Sequence, residues 1–194
     1  MGDPMNYWQT DRIRLRGIEA DDAPLFWAWN QDSEVARHLD FTWPPVSLDS
    51  ARSWAEKQTQ HRLEDDRFHW VIENSAGAAV GSINTHHCEP RNGTFMYGVH
   101  VERTHWGHGY ATAAIQLVLR YYFHEMRYQK VTVSVHSDNP RSVALHEKLG
   151  FVREGTFRRM LFTDGSYLDV HWYGMTREEW EEKNGYQTVS TSES

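Results

Sequence analysis

Two periodicities alternate along this chain. Residues Arg12-Ile13-Arg14-Leu15-Arg16, Phe68 to Glu73, Ala78 to Asn84, Thr94 to Val101 and Lys130 to His136 alternate apolar with polar positions or form short apolar runs. That pattern predicts strands. The turn residues Asn74-Ser75-Ala76-Gly77 join the second and third as a hairpin. Elsewhere the apolar spacing changes to three and four. Ala111, Ala114, Ile115, Val118, Tyr122 and Met126 mark one face of a long helix that follows a loop bearing Gly107 and Gly109. A shorter helix starts at the acidic residues Glu19 to Asp22, carries Leu25, Phe26, Ala28 and Trp29 inward and stops near Asn30. Asp32 to Leu39 adds a second helical turn, and Ser47 or Asp49 opens a helix through Trp54 to about Gln60.

The second half is punctuated more sharply. Asn139 can accept helix N–H bonds, Pro140 suits the first helical position, and Gly150 supplies a left-handed exit, so a helix is expected between them. Two strands follow, about Glu154 to Phe162 and Tyr167 to Met175, joined across Thr163-Asp164-Gly165-Ser166. The polar stretch His86 to Asn92 reads as a loop. Asp40-Phe41-Thr42-Trp43-Pro44-Pro45 interrupts regular structure, because consecutive prolines remove donors and restrict the preceding residue. Its rings Phe41 and Trp43 either form a substrate flap or cover the core edge. The expected organisation is one domain over residues 10–176, a loose leader over 1–9, and a short acidic helix with a disordered tail over 177–194.

The glycine loop is the first place where pattern becomes chemistry. A loop that opens a long helix presents unpaired N–H groups at the positive end of the helix dipole, an arrangement suited to a phosphate or pyrophosphate. Taken alone, Gly-x-Gly is equally a strand-to-helix turn. It is not a dinucleotide fingerprint, since Thr112 stands where the third glycine belongs.

Composition narrows the partners. A formal charge of -7 argues against a general nucleic-acid binder and favours a cationic substrate. The single cysteine, Cys88, excludes an internal disulfide and fits a reducing, cytoplasmic setting; no apolar run approaches a membrane span. His100, His105 and His108, and His86-His87-Cys88, lack the spacing of a zinc site, so no metal is expected. Two-fold symmetry is the commonest assembly, which makes a homodimer the default expectation for oligomeric state.

Four segments together are more specific than any one. They are Arg12-Ile13-Arg14-Leu15-Arg16 with its acidic helix start, Val80-Gly81-Ser82-Ile83, Trp106-Gly107-His108-Gly109-Tyr110-Ala111-Thr112-Ala113-Ala114, and Asn139…Ser142…Leu145-His146-Glu147-Lys148-Leu149-Gly150-Phe151. In this order they resemble the GNAT superfamily of acyl-CoA-dependent N-acetyltransferases, most closely its RimJ/RimL-type branch. The resemblance implies an α+β, three-layer fold: a mixed, mostly antiparallel, V-splayed sheet with helices on both faces and the cosubstrate in the splay.

The resemblance also implies roles. Backbone groups of Val99 and Val101 would bond the pantetheine arm of acetyl-CoA, and an amide near Val99 or His100 would polarise the thioester carbonyl. Amides of Trp106, Gly107, His108, Gly109, Tyr110, Ala111 and Thr112 would hold the pyrophosphate, with Asn139 and Ser142 on the cofactor arm. Two positions depart from the family pattern. Thr104 stands where Gln or Arg often precedes the loop, and His146 stands where Tyr often serves as proton donor to the leaving thiolate. Imidazolium can donate a proton near neutral pH; if His146 only packs, Ser142 or water donates instead. The acceptor amine must lose a proton before attack, and Glu89 and His87 rank first as base, ahead of His86, Glu73, Asp169 and His171. The implied function is acetyl transfer from acetyl-CoA to a primary amine, either a protein N-terminus or a small cationic amine such as a polyamine or antibiotic. A non-catalytic acyl-CoA-binding domain is the alternative.

Overall fold

Arginines at every second position of the first strand determine how the sheet begins. The computed structural model describes residues 6–39, 42, 44–60 and 65–186. Strand β1 (Ile13–Gly17) buries Ile13 and Leu15 on one face and pairs antiparallel with β2 (His69–Asn74). Arg14 and Arg16, on the other face, both donate to the carboxylate of Glu73, which stands across from Arg14. Arg16 also forks onto both carboxylate oxygens of Asp22 at 2.7 and 2.8 Å, and Asp22 Oδ2 accepts the N–H of Glu19 at 2.8 Å. The acidic helix start is therefore fixed to the sheet by a paired, charge-assisted network. Residues Tyr7 to Gln9 belong to this edge too, in contrast to the loose leader expected. Leu15 N–H donates to Trp8 O at 2.8 Å, Gln9 bridges to Arg14, and the Arg120 guanidinium lies 4.0 Å over the Tyr7 ring.

Contacts divide the chain into two compact units, Met1–Cys88 with Tyr97–Arg120, and Glu89–Met96 with Tyr121–Ser194. In the first, helices α1 (Ala23–Trp29) and α3 (Leu48–Thr59) pack Phe26, Ala51 and Ala55 around Val71, with α2 (Ser33–Leu39) between them in sequence. Val71 and Ile72 point to opposite faces of β2, yet both are fully buried, so both faces of that strand are covered. Strand β3 (Ala79–Glu89) follows β2 as the expected hairpin and leads to β4 (Thr94–Val101). It continues five residues past Asn84 and takes His86 to Glu89 from the stretch read as a loop, leaving the remainder as a turn. Thr85 explains part of this, since its N–H donates to Phe68 O at 2.8 Å and its Oγ1 accepts the Phe68 N–H at 2.9 Å. At Gly81 the strands approach so closely that a Cβ would stand 2.1 Å from the carbonyl oxygen of His100.

In the second unit, Phe95 stacks on Tyr122 at 4.0 Å and meets Tyr128 edge-on at 5.5 Å, closing the core beneath the end of α4 (Tyr110–His124). The first three residues of β4 pair in parallel with β5 (Lys130–His136), Thr94 to Met96 against Lys130 to Thr132. Helix α5 (Pro140–Leu149) crosses to β6 (Val152–Thr163), which turns back as β7 (Ser166–Thr176) before α6 (Arg177–Asn184). Among the described residues the sheet is mixed, with seven strands in the order β1-β2-β3-β4-β5-β7-β6. The edge strand β6 is irregular: Phe157 faces Val170 and Leu161 faces Leu168, so β6 carries two extra residues there, with Arg159 in the left-handed region. Phe157, Met160, Phe162 and Tyr167 of this hairpin are at least half exposed.

Two outcomes follow from these contacts. Gly81→Ala has no room that does not displace backbone, so it is expected to cost about 1–3 kcal/mol in denaturant melts. Glu73→Gln leaves Arg14 and Arg16 without their shared counter-charge. Burial alone would raise the Glu73 and Asp22 carboxyls, but hydrogen bonds from Arg16, helped at Glu73 by Arg14, hold both below the usual carboxylate range. The unfolded chain therefore takes up protons first as pH falls. This stabilisation is present above about pH 4 and is lost as pH drops through the lower folded values. Glu73→Gln should cost about 2–4 kcal/mol at pH 7, and the gap from the native protein should shrink in melts well below pH 4.

Candidate functional site

The junction from β4 to α4 carries most of the candidate residues. Glu102 N–H donates to Val80 O at 2.9 Å, and the His100 carbonyl also faces β3 at Gly81. Strand alternation then turns the backbone groups of Val99 and Val101 to the opposite edge of β4. Of the two amides considered for the thioester carbonyl, that of Val99 thus lies on the edge away from β3. The His100 side chain is packed 5.0 Å from Trp29, and burial pushes its pKa down to about 4 against a smaller opposing effect of Asp32. It is a neutral packing group at pH 7.

A short turn of 3-10 helix, Arg103–His105, leads from β4 into the loop. Trp106 Nε1 donates to Val101 O at 2.7 Å, and the Arg103 guanidinium lies 5.3 Å over the same indole. Arg103 also bonds Asp32 at 3.0 and 3.1 Å and Glu34 at 3.0 Å. The loop is anchored to the end of β4 at one side and to the start of α2 at the other. The backbone N–H of Trp106 donates to Arg103 O at 3.2 Å, so it is spent in the turn. The expected amide cradle therefore begins one residue later, at Gly107.

Gly107 (φ +81) and Gly109 (φ +78) hold left-handed conformations that a β-carbon would strain. The space where a Gly107 Cβ would stand is open, with no heavy atom within 4 Å. The helix ladder starts with Ala113 N–H to Gly109 O at 3.0 Å, so the amides of Tyr110, Ala111 and Thr112 precede it. Together with those of Gly107, His108 and Gly109 they form a run of main-chain donors at the positive end of a 15-residue helix. His108 stacks on Tyr110 at 5.4 Å, and its Nδ1 lies 3.0 Å from Trp106 O, which places the hydrogen on Nδ1. Arg12 Nη1 donates to His108 O at 3.4 Å. Glycine conformation, open space and donor set fit a pyrophosphate.

The second unit holds the other motif. Asn139 Oδ1 accepts the N–H of Ser142 at 3.1 Å, so its carbonyl oxygen caps α5 and its Nδ2 hydrogens are the part left for a ligand. Gly150 ends the helix at φ +95. His146 is 4% exposed, edge-on to Phe151 at 5.2 Å and stacked near Tyr173. Its Nδ1 lies 2.7 Å from the carbonyl oxygen of Ser142 and 3.3 Å from Ser142 Oγ. A carbonyl only accepts, so Nδ1 carries the hydrogen. Burial lowers the His146 pKa, partly opposed by that bond. The ring is neutral at pH 7 with its hydrogen committed to its own helix, a poor arrangement for donating a proton.

The acids and bases chosen from sequence scatter. His87 is exposed at φ +47 with its Nδ1 2.7 Å from that of His86. Asn84 stands against Gly98, so His87 lies roughly 10 Å further toward the hairpin turn, away from Val99 to Val101. Glu89 is exposed at the end of β3, where its carbonyl accepts the amides of Asn92 and Gly93. Glu73 is committed to Arg14 and Arg16, Asp169 accepts the N–H of Arg159, and His171 meets Arg153 and Thr156. Phe41 and Trp43 lie outside the described residues. Arg12 and Arg103 escaped the sequence reading, because their partners lie 96 and 71 residues away.

Comparison with known proteins places this geometry. Residues 12–152 match the family described as acetyltransferase (GNAT) domain. The SPbeta prophage-derived uncharacterized N-acetyltransferase YokL of Bacillus subtilis (strain 168) is 40% identical over 181 residues, covering 93% of this chain and 99% of that protein. The ribosomal-protein-serine acetyltransferase of Escherichia coli (strain K12) is 28% identical over 94 residues, 48% of this chain and 52% of that one. A crystal structure of spermidine N-acetyltransferase from Vibrio cholerae in complex with CoA and spermine has a TM-score of 0.77. At 21% identity it covers 88% of this chain and 99% of that one, a likeness of fold. The match over most of the chain and the near full-length relative lead to one conclusion: this protein belongs to the GNAT acetyltransferase family.

Proposed function

We propose that the protein transfers the acetyl group of acetyl-CoA to a primary amine by direct attack in a ternary complex. The observation that carries this reading is the run of amides from Gly107 to Thr112, bent around two left-handed glycines at the start of α4. These amides hold the pyrophosphate, which needs donors but no particular side chain. Acetyl-CoA supplies an activated thioester. The outward edge of β4 at Val99 and Val101 lines the pantetheine arm, and the Val99 amide donates to the thioester oxygen as negative charge grows there. The carbonyl of Val101 already accepts the Trp106 indole, so its second lone pair is what remains for a ligand.

The new bond joins the acceptor nitrogen to the acetyl carbon, the carbon–sulfur bond breaks, the nitrogen gives up its proton to solvent water, and one proton passes to the thiolate. Within α5, Ser142 Oγ is better suited to give that proton than His146, whose Nδ1 hydrogen is committed to the Ser142 carbonyl, and the serine recovers a proton from solvent. A protein N-terminus and a small cationic amine both suit the net charge of -7, and relatives bear names of both kinds. The small amine is the better supported acceptor, because acidic balance draws a free cation from solution without a peptide-binding groove.

Four measurements test this reading. Gly107→Glu places a carboxylate where the phosphates would sit, so the Kd for acetyl-CoA should rise by at least a hundredfold; unchanged affinity would sink the assignment. Ser142→Ala should lower kcat by about ten- to a hundredfold with the cofactor Kd little changed. His146→Phe, which keeps the ring contacts to Phe151 and Tyr173, should retain most of kcat and the native pH profile. A pH-dependent collapse of kcat in that variant would return the acid role to His146. Thiol release across polyamines, amino acids, aminoglycosides and N-terminal peptides identifies the acceptor, and tight cofactor binding without release above hydrolysis would favour a sensing domain instead.

A further inference from the structure

The turn that leads into the loop carries an uncharged, exposed residue, Thr104. Arg103 beside it is already shared between Asp32 and Glu34, with its face over Trp106. A second arginine reaches the same loop from far along the chain. Arg12 sits at the entrance to β1, where its own N–H and that of Ile13 donate to Thr10 Oγ1 at 3.2 and 3.1 Å. Its Nη1 lies 3.4 Å from the carbonyl oxygen of His108 and 3.2 Å from the position a Gly109 Cβ would take. Among the described residues Arg12 has no carboxylate within ion-pair distance, unlike Arg14, Arg16, Arg52, Arg67, Arg103 and Arg177.

The geometry points to Arg12 as a specificity-determining residue that binds a phosphate group of the CoA nucleotide through its guanidinium. One N–H holds the loop at His108, and a guanidinium fork has further donors suited to a planar, two-point contact with phosphate oxygens. The main-chain amides give position; Arg12 adds the full positive charge that partial dipoles lack. This inference rests on the assignment of the loop to the pyrophosphate. The phosphate it meets is either part of that pyrophosphate or the one on the ribose 3′ position, and the chemistry of recognition is the same.

The test is isothermal titration of CoA and of 3′-dephospho-CoA into the native protein, Arg12→Gln and Arg12→Lys. Each titration is run at low salt and at about 0.15 M, where exposed charges are screened beyond roughly 8 Å. Glutamine removes the charge at an exposed position and gives up only a long bond of 3.4 Å to the His108 carbonyl, so its melting temperature should stay close to that of the native protein. Its Kd for CoA should rise about tenfold at low salt, with a shallower salt dependence, while lysine should stay within about threefold of native. Loss confined to CoA assigns the contact to the 3′-phosphate, and equal loss on both ligands assigns it to the pyrophosphate. Native affinity for both ligands in Arg12→Gln overturns the proposal. A native protein that binds neither ligand sinks the loop assignment itself and Arg12 with it, whereas Gly107→Glu losing affinity while Arg12→Gln does not sinks Arg12 alone.

Discussion

Between β3 and β4 there is no room for a β-carbon at Gly81, and the rest of the first unit follows from that closeness. The approach fixes the His100 carbonyl against β3, and alternation then decides which backbone groups of β4 are left on the other edge. Glu102 closes the pairing onto Val80, and the chain leaves the strand directly into the 3-10 turn. Trp106 returns from that turn to the Val101 carbonyl, so the loop starts from a fixed point. The donors of the cradle are consequently placed by bonds at its edges, from Trp106 to Val101, from His108 back to the Trp106 carbonyl and from Arg12 to the His108 carbonyl.

What the sequence disclosed most fully was whatever rests on local chemistry. The cap, first-turn proline and left-handed exit of α5 lie within a dozen residues of one another, and each appears in the structure where the residue types placed it. The same holds for the glycine loop and its helix. The polar end of β3 was illegible because Thr85 and its neighbours form strand through pairing with Phe68, which no window centred on them contains. Arg12 was legible as a strand residue but not as a neighbour of His108, since nothing local records a contact across so much chain.

The proton donor shows a different limit. From sequence, His146 offers a titratable group at the position where a tyrosine is common. Its burial depends in part on Tyr173, from a strand that arrives much later in the chain, and with burial its charge. A histidine's charge state is set by such surroundings more than by its position in a motif. Glu73 is the same lesson with the opposite sign, a carboxylate whose ionisation is secured by two arginines of the neighbouring strand.

The irregular edge strand bears on how the protein behaves in a crowded solution. A long outer strand bearing Phe157, Met160 and Phe162 is the kind of edge to which unfolded or partly folded chains add strand by strand. The two extra residues between Phe157 and Leu161, held by Asp169 Oδ1 accepting the N–H of Arg159 at 2.8 Å, break that edge into two short lengths out of register. A chain docking on either length gains a few hydrogen bonds and then meets Arg158 and Arg159. The kink thus lets this hairpin display apolar side chains while withholding the continuous template on which aggregates grow.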